Sequence, residues 1–168
     1  MSRKILICSD IHGALANFRT AFETEAPLDL VLIAGDLGLE RWKIDQVTGV
    51  TACAIVQGNN DRLRHPDLPE KREFTYEGKR FYMTHGHLMG VRHGVPRKFI
   101  ALTRNLGSDI VIFGHSHSYF DETVDGVRYL NPGAMMGSVY TYTFTYMVLT
   151  IDGDQVNVEK REMPVQKG

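Results

Sequence analysis

The sequence is poor in cysteine and has no long apolar run. Its two cysteines, Cys8 and Cys53, lie within apolar segments, where a buried free thiol is the usual state, so a disulfide-stabilised fold is not expected. No segment approaches the roughly 18 apolar residues that a membrane-spanning helix needs. The apolar stretch at residues 5–8 is too short for a signal peptide. We therefore expect a soluble, cytoplasmic protein without membrane contact.

The sequence also lacks an excess of charge of either sign. Its 19 Lys and Arg residues nearly balance its 20 Asp and Glu residues, which gives a net charge of −1. This balance argues against a broad nucleic-acid-binding surface, because such a surface needs a basic excess. With 168 residues, of which 43% are hydrophobic, the chain is expected to form one domain over residues 1–168. The oligomeric state stays open, with a homo-oligomer as one alternative.

Short apolar segments recur along the chain, with helical or turn-forming segments between them. Their length and aliphatic content predict buried β-strands at residues 4–9, 28–34, 51–57, 80–84 and 109–113. Strands that alternate with helices are typical of a parallel sheet with helical crossovers. The first two thirds of the chain are therefore predicted to be α/β.

Two helices are predicted between these strands. In the first, Leu15, Phe18 and Phe22 recur at helical spacing. The second is expected to end before Gly107, where a glycine can take the conformation that closes a helix. Its predicted inner face consists of Phe99, Leu102, Thr103 and Leu106.

The C-terminal third has a different pattern. Asp125-Gly126 and Asp152-Gly153 each lie between short apolar or alternating segments, as the turns of β-hairpins do. Residues 141–151 are rich in β-branched and aromatic side chains, which predicts a long strand. An antiparallel portion is therefore expected, and only residues 163–168 are expected to fray.

Polar side chains follow each of the five predicted strands directly. They are Asp, His and Asn, which are residue types that hold divalent transition metals. Because the carboxyl ends of parallel strands share one edge of a sheet, the five groups are expected to converge on one crevice. In chain order the groups are Asp10 and His12; Asp36; Asn59, Asn60 and Asp61; His85 and His87; and His115 and His117.

Each of these groups taken alone has an ordinary explanation. Asp10 could cap a helix, Gly35-Asp36 could form a turn, and the paired histidines could lie at the surface without a function. Five such coincidences at five strand ends argue against that explanation for the whole set. Two divalent ions about 4 Å apart can activate a water for attack on phosphorus. The set therefore predicts a metal-dependent phosphoesterase.

In order and spacing these residues resemble the motifs of the calcineurin-like metallophosphoesterases. The family motifs are D-x-H, G-D, G-N-H-[DE] or G-N-C-D, H and G-H-x-H. The resemblance covers residues 5 to about 134, and Asn131-Pro132-Gly133 is similar to a small bacterial and archaeal phosphodiesterase branch. The motifs stand here as Asp10-Ile11-His12, Gly35-Asp36, Gly58-Asn59-Asn60-Asp61, His85 and Gly114-His115-Ser116-His117.

The resemblance implies an α/β fold that is a four-layer α/β/β/α sandwich of two mixed β-sheets flanked by helices. It also implies two divalent transition-metal ions, with Mn²⁺ the usual ion of the family and iron, nickel and zinc as alternatives. Asp36 would bridge the ions, and Asp36, Asn59 and Asp61 are the implied catalytic residues. The implied ligands are Asp10, His12, Asp36 and His117 for one ion, and Asp36, Asn59, His85 and His115 for the other.

One residue departs from the family motif in a way that affects the chemistry. Many members have a histidine at the position of Asn60 that can protonate the leaving oxygen, whereas an asparagine cannot donate a proton at useful pH. His87 and His93 are weaker candidates for that role, because a surface or packing position explains them better. Asp61 is expected to support His12 or a neighbouring loop.

The predicted function is a phosphodiesterase that hydrolyses small phosphate esters with a hydroxide bridging the two ions. Arg62 is the expected contact for substrate phosphate, since a solvated helix face explains Arg64, Arg92, Arg97 and Lys98 equally well. A phosphomonoesterase and a dinucleoside polyphosphate hydrolase are the enzymatic alternatives. The non-enzymatic alternative is a docking module like the retromer scaffold subunit, which resembles the same branch. The presence of all seven candidate ligands favours an enzyme.

Overall fold

The chain folds into ten β-strands and three α-helices. The computed structural model describes residues 1–168. In chain order the elements are β1 (Arg3–Cys8), α1 (Leu15–Glu25), β2 (Leu30–Ile33), α2 (Arg41–Thr48), β3 (Ala52–Ile55), β4 (Lys71–Tyr76), β5 (Lys79–Thr84), α3 (Arg97–Thr103), β6 (Ile110–Ile112), β7 (Tyr119–Val124), β8 (Val127–Pro132), β9 (Thr143–Asp152) and β10 (Gln155–Pro164).

The strands form two mixed sheets of five strands each. In the first, with order β10-β9-β1-β2-β3, strands β1 to β3 are parallel and β9 is antiparallel to both of its neighbours. In the second, with order β4-β5-β6-β8-β7, strands β5, β6 and β8 are parallel, and the edge strands β4 and β7 are antiparallel to their neighbours. The five strands predicted from the sequence are therefore divided between the sheets, three in the first and two in the second.

The alternating side chains of β1 show why the first sheet is covered on both faces. Ile5 and Ile7 point towards the second sheet and join a buried cluster with residues of β5 and β6. Leu6 and Cys8 point the other way and pack with Phe18 of α1 and with residues of α2. Such a strand must be apolar on both faces, as the sequence of β1 is.

Helix α3 covers the outer face of the second sheet. Phe99 packs there in a buried cluster with Tyr82, Val111 and Tyr129. The layers therefore run from α1 and α2 through the two sheets to α3, which confirms the expected α/β/β/α sandwich. No helix is long and apolar enough to cross a membrane.

The inner face of α3 differs from the predicted one. Phe99 and Thr103 are buried, but Leu102 and Leu106 are 50% and 46% exposed, so their predicted burial is wrong. The helix contains only seven residues and ends at Thr103. Leu106 lies in the following turn, and the packed face centres on Phe99 and Thr103, which directs Leu102 outward.

The C-terminal third is antiparallel, as predicted. Both hairpins form, with β9 pairing along its whole length with β10. The expectation of a frayed terminus is wrong for residues 163–166, because β10 extends to Pro164. Beyond it, the backbone N–H groups of Val165 and Gln166 donate to the Tyr142 carbonyl and to Asn17 Oδ1.

Glu25 at the end of α1 is a buried carboxylate that ties the helix to three strands. It accepts hydrogen bonds from Tyr146 of β9 and Arg161 of β10, and it pairs with Lys4 of β1. Burial alone would raise the pKa of Glu25, but hydrogen bonds from Arg161, Lys4 and Tyr146 lower it. The ionised form of Glu25 is therefore the one that stabilises the fold.

We expect Glu25→Gln to lower the free energy of unfolding by about 2 kcal/mol at pH 7, because Arg161 and Lys4 lose their shared buried counter-charge. Since folding lowers the pKa of Glu25, its contribution is present above the unfolded pKa of about 4.3 and is lost as the pH falls through the lower folded value. Urea unfolding of both proteins from pH 7 downward measures this difference.

The control is Glu159→Gln, which removes an exposed partner of the same arginine. We expect it to change the free energy of unfolding by less than about 0.5 kcal/mol. Equal effects of the two substitutions, or a Glu25→Gln effect that persists unchanged in acid, would contradict the assigned role of the buried carboxylate.

Candidate metal centre

The five groups of polar residues converge on one crevice, where the carboxyl ends of parallel strands from both sheets meet. Three groups come from the first sheet and two from the second. The loops are joined by backbone hydrogen bonds, including those from Asp10 N to the Gly35 carbonyl and from Gly114 N to the His85 carbonyl. The crevice therefore depends on both sheets rather than on the edge of one.

Asp10, His12 and His117 form the first cluster of potential metal ligands. Asp10 Oδ1 lies 3.4 Å from His12 Nε2 and 3.2 Å from His117 Nε2. The two imidazole nitrogens are 3.3 Å apart. Ligand atoms about 2.1 Å from one cation in tetrahedral geometry are about 3.4 Å from one another. The cluster therefore has the spacing of a cation site.

A second cluster consists of Asp10, Asp36 and His85. His85 Nε2 lies 3.3 Å from Asp36 Oδ2 and 3.8 Å from Asp10 Oδ1. Asn59 Oδ1 is 3.1 Å from both His85 Nε2 and His115 Nδ1. Asp10 belongs to both clusters, and Asp36 Oδ2 of the second cluster is also 3.6 Å from His12 Nε2 of the first.

The polar atoms of the crevice are better satisfied by a metal ion than by hydrogen bonds to one another. Asp10 Oδ1 is buried and has no hydrogen-bond partner, although such oxygens are nearly always satisfied in folded proteins. His85 Nδ1 lies 2.6 Å from the Ala34 carbonyl. If Nδ1 donates there, Nε2 presents a lone pair to the Asn59 oxygen, which is also an acceptor. A divalent cation satisfies acceptors that face one another in this way.

The carboxylates of the crevice remain ionised despite their burial. Burial alone would raise the pKa of Asp10, but contacts with His117 and His12 hold it well below its usual range. The pKa of Asp36 is lowered against burial by His85. Burial would lower the pKa of His85, but the Asp36 and Asp10 carboxylates outweigh it and raise that pKa. The negative field of these two carboxylates favours a cation beside His85.

Backbone strain is concentrated at the same residues. Left-handed backbone conformations cost a non-glycine residue roughly 1 kcal/mol or more each. Five of the eight non-glycine residues with positive φ are candidate ligands, with φ between 44° and 71°. Strain of this kind persists where the surrounding structure imposes it, which is typical of functional sites. The five residues are Asp10, His12, Asp36, His115 and His117.

Residues 3–154 match the calcineurin-like phosphoesterase superfamily domain. The chain belongs to this superfamily. A probable metallophosphoesterase of Bacillus subtilis is 31% identical over 155 residues, which are 92% of this chain and 88% of that protein. A phosphodiesterase of Methanocaldococcus jannaschii is 31% identical over 149 residues, with 80% of this chain and 85% of that protein covered. The superfamily assignment makes this chain a metal-dependent phosphoesterase.

Two solved structures share the superfamily fold. A conserved protein of Streptococcus pneumoniae, described as a predicted phosphoesterase, superposes with a TM-score of 0.78 at 21% identity and covers 100% of this chain and 95% of its own. Vacuolar protein sorting 29 of Cryptosporidium parvum superposes with a TM-score of 0.74 at 21% identity and covers 97% and 98%. Both similarities establish the sandwich architecture.

Asn60, at the position where the family motif can have a histidine, binds the carboxylate of Asp36. Its backbone N–H donates to Asp36 Oδ1 at 2.9 Å, and its side-chain Nδ2 donates to Oδ2 at 3.1 Å. The glycine before this segment allows the close approach, since a β-carbon at Gly58 would overlap Asp36 Oδ1. The asparagine thus contributes a pair of hydrogen bonds at the position where the family motif can have a histidine.

Asp61 supports the loop that carries Asp36. Its carboxylate accepts hydrogen bonds from the backbone N–H groups of Asp36, Leu37 and Gly58, at 2.8, 3.0 and 2.8 Å. It makes no contact with His12, which was the other expectation for this residue. Three N–H groups on one buried carboxylate fix the position of Asp36 relative to the loop after β3.

The sequence did not assign a role to two residues that support the superfamily motifs. Asn131 is fully buried, and its Nδ2 donates to the Gly114 carbonyl and to Ser116 Oγ, which holds the loop between His115 and His117. Ser9 Oγ donates to Asp10 Oδ2 at 2.7 Å. The motif Asn131-Pro132-Gly133 was the available signal for the first, and position beside Asp10 was the only signal for the second.

The remaining predicted residues lie outside the two clusters. Arg62 is exposed and lines neither of the two cavities that flank the crevice. His87 is half-buried, with its ring centroid 5.3 Å from that of His85, and burial lowers its pKa. His93 is exposed on the following loop.

We expect Asp61→Asn to weaken the binding of divalent ions by about 10- to 100-fold, because the Asp36 loop loses the charged acceptor that positions it. Calorimetric titration of metal-free protein with manganese measures the affinity. Asp67→Asn removes the same charge at an exposed position and should leave the affinity unchanged. Equal affinities of wild type and folded Asp61→Asn would show that the loop does not need this acceptor.

Proposed function

We propose that this superfamily member is a dinuclear metal-dependent phosphodiesterase. The observation that carries the proposal is the position of the Asp36 carboxylate between one histidine of each ligand cluster, 3.6 Å from His12 Nε2 and 3.3 Å from His85 Nε2. Sites with two metals hold the ions about 4 Å apart on either side of the reacting phosphate. Asp36 would bridge such a pair of ions.

In this proposal each ion has four protein ligands, with Asp36 shared. Imidazole and carboxylate suit manganese, iron, nickel and zinc better than calcium. We favour Mn²⁺ because it is the usual ion of the family that the sequence motifs resemble. The proposed ligands are Asp10, His12, Asp36 and His117 for one ion, and Asp36, Asn59, His85 and His115 for the other. Residues 1–168 would act as one domain, since one hydrophobic cluster joins the two sheets.

Divalent ions held in this way would supply an activated water and neutralise the charge that develops on the phosphoryl oxygens. The chain's own residues orient the ligands for that chemistry. The Ala34 carbonyl binds His85 Nδ1 and directs Nε2 into the crevice. Asn60 holds both oxygens of Asp36. In this scheme Asp36 and Asn59 contact the ions, whereas Asp61 is a positioning residue.

The substrate class follows from the residue at position 60. An asparagine cannot protonate a leaving oxygen, so diesters with stable leaving groups, such as aryl diesters, are favoured. The Methanocaldococcus relative, a phosphodiesterase, supports the same class. Phosphomonoesters and dinucleoside polyphosphates are the alternative substrates, and a screen of phosphate esters with a panel of metals distinguishes the three.

A docking module without catalysis is the alternative from another class, because vacuolar protein sorting 29 of Cryptosporidium parvum has a similar fold. A module that only docks has no need of two buried, ionised carboxylates beside imidazole nitrogens. Asp10 and Asp36 therefore favour the enzyme. Metal-dependent hydrolysis of bis(p-nitrophenyl) phosphate is the distinguishing measurement.

We expect wild-type protein reconstituted with manganese to bind about two ions per chain. Asp36→Asn should bind fewer ions, because the bridging carboxylate is gone. It should also lose at least about 100-fold in kcat/KM for bis(p-nitrophenyl) phosphate. Elemental analysis and initial rates measure the two effects. His87→Ala removes a histidine beside the ligand set and is the matched control. A metal-loaded, fully active Asp36→Asn enzyme would overturn the dinuclear assignment.

We expect Asn60→His to raise kcat/KM for alkyl diesters relative to aryl diesters by about tenfold at most. A well-positioned general acid is worth about 10²- to 10⁴-fold. A newly introduced histidine lacks the neighbouring hydrogen bonds that position such an acid, so its effect should be smaller. Asn60→Ala also removes the amide that binds Asp36 but adds no acid. Comparing the two variants at equal metal occupancy separates proton donation from the lost hydrogen bond. An unchanged alkyl-to-aryl ratio in Asn60→His would mean that leaving-group protonation is not limiting.

A further inference from the structure

The segment that borders the crevice on the side of the second sheet is strongly basic. Residues 78–108 contain no Asp or Glu, although the whole chain has a net charge of −1. The charge is therefore unevenly distributed along the sequence. The six cationic residues of the segment are Lys79, Arg80, Arg92, Arg97, Lys98 and Arg104.

Arg92 is the one cation of this segment that lines the same cavity as the candidate ligand His115. Arg80 and Arg104 pair with Asp109 and Asp125, whereas Arg92 is exposed and has no acidic partner. The backbone of the short loop that carries Arg92 is fixed at both ends. Val91 before it is buried and donates its N–H to the Gly86 carbonyl, and Pro96 after it is buried where α3 begins.

The cavity beside Arg92 opens onto the candidate metal centre and carries no negative charge. It has a volume of about 410 Å³, and its lining includes His87, Arg92, His93 and the candidate ligand His115, with no acidic residue. A volume in the range of about 300–1,000 Å³ is typical of small-molecule sites. Part of a substrate bound at the metal centre can therefore extend into a cationic space.

The cavity on the other side of the crevice has a different character. It has a volume of about 520 Å³ and lies beside His117, and its lining is rich in serine and threonine hydroxyls. Its one lysine, Lys160, lies 4.0 Å from Glu162, so its charges are balanced. The two cavities meet at His93 and Ser116, which line both. A phosphodiester at the metal centre would have one arm in a cationic space and the other in a neutral, hydroxyl-lined space.

We propose that the Arg92 cavity binds a second anionic group of the substrate, so that the preferred diester carries a phosphate or carboxylate on one of its ester arms. This inference rests on the proposed function and adds the class of substrate. A guanidinium with no protein partner can bind either group with two parallel hydrogen bonds. Arg62, which the sequence suggested as the contact for substrate phosphate, lines neither cavity.

The test compares two substrates that differ only in the second anionic group. Thymidine 5′-(p-nitrophenyl phosphate) and its 3′-phosphorylated form have the same leaving group and the same reacting phosphate. We expect wild type to prefer the 3′-phosphorylated form by about tenfold in kcat/KM, mainly through a lower KM. Arg92→Gln should lose this preference and keep its rate with the unphosphorylated form.

Arg97→Gln is the matched control, because it removes the same charge from the start of α3, outside the cavity. It should keep the preference. A wild type without preference, or a preference that Arg97→Gln removes as fully as Arg92→Gln, would overturn the proposal. The proposal would also be overturned if Arg92→Gln lost activity equally towards both substrates, since Arg92 would then contact the reacting phosphate itself.

A binding measurement separates failure of this inference from failure of the proposed function. Calorimetry with manganese-loaded protein compares thymidine 3′,5′-bisphosphate with thymidine 5′-monophosphate. Tighter binding of the bisphosphate to wild type, lost in Arg92→Gln, supports the anion subsite even if no diester is hydrolysed. Equal affinities for the two ligands in wild type would overturn the subsite, even if bis(p-nitrophenyl) phosphate is hydrolysed.

Discussion

Two buried carboxylates, Asp10 and Asp36, remain ionised where the two sheets meet, and the surrounding loops are arranged around them. Backbone N–H groups, a serine hydroxyl and the amide of Asn60 all point at these two side chains. Glycines at 58 and 114 let the backbone approach them closely. Their negative charge favours a cation among the four surrounding imidazoles, because the carboxylates add both ligand oxygens and neutralising charge to the set.

The interior of the sandwich and the edge formed by its strand ends have separate physical roles. Between the sheets, aliphatic side chains from β1, β2, β5 and β6 form a dry cluster that holds the sheets together. At the carboxyl ends of the same strands the sequence changes abruptly to Asp, His, Asn and Gly. Because rigid strands lead directly into the ligands, small motions of the outer helices need not change the spacing of the site.

The sequence predicted the superfamily and the enzyme class because the strand-end motifs are local in the chain, and the sandwich followed from the family resemblance. Strand-end ligands can be recognised from their neighbours alone. The sequence predicted neither α2 nor β4, since α2 buries only Ile44 and Thr48 and β4 is an edge strand with alternating exposure. The contacts of Asn131 depend on a loop distant in sequence. Ser9 contacts its neighbour Asp10, but the sequence alone does not set the direction of its hydroxyl. The exposure of Leu102 depends on how a seven-residue helix packs on the second sheet.

The loop that carries Arg92 is anchored by Val91, which donates to the Gly86 carbonyl beside the candidate ligand His85, and by the buried Pro96, and residues 92–95 between these anchors are exposed. Residues 92–95 can therefore change during evolution while strand ends and buried carboxylates stay the same. Related enzymes could diverge in substrate preference through this short loop, with no intermediate that loses its catalytic centre. Such separation allows one hydrolytic scaffold to be recruited repeatedly for different metabolic tasks.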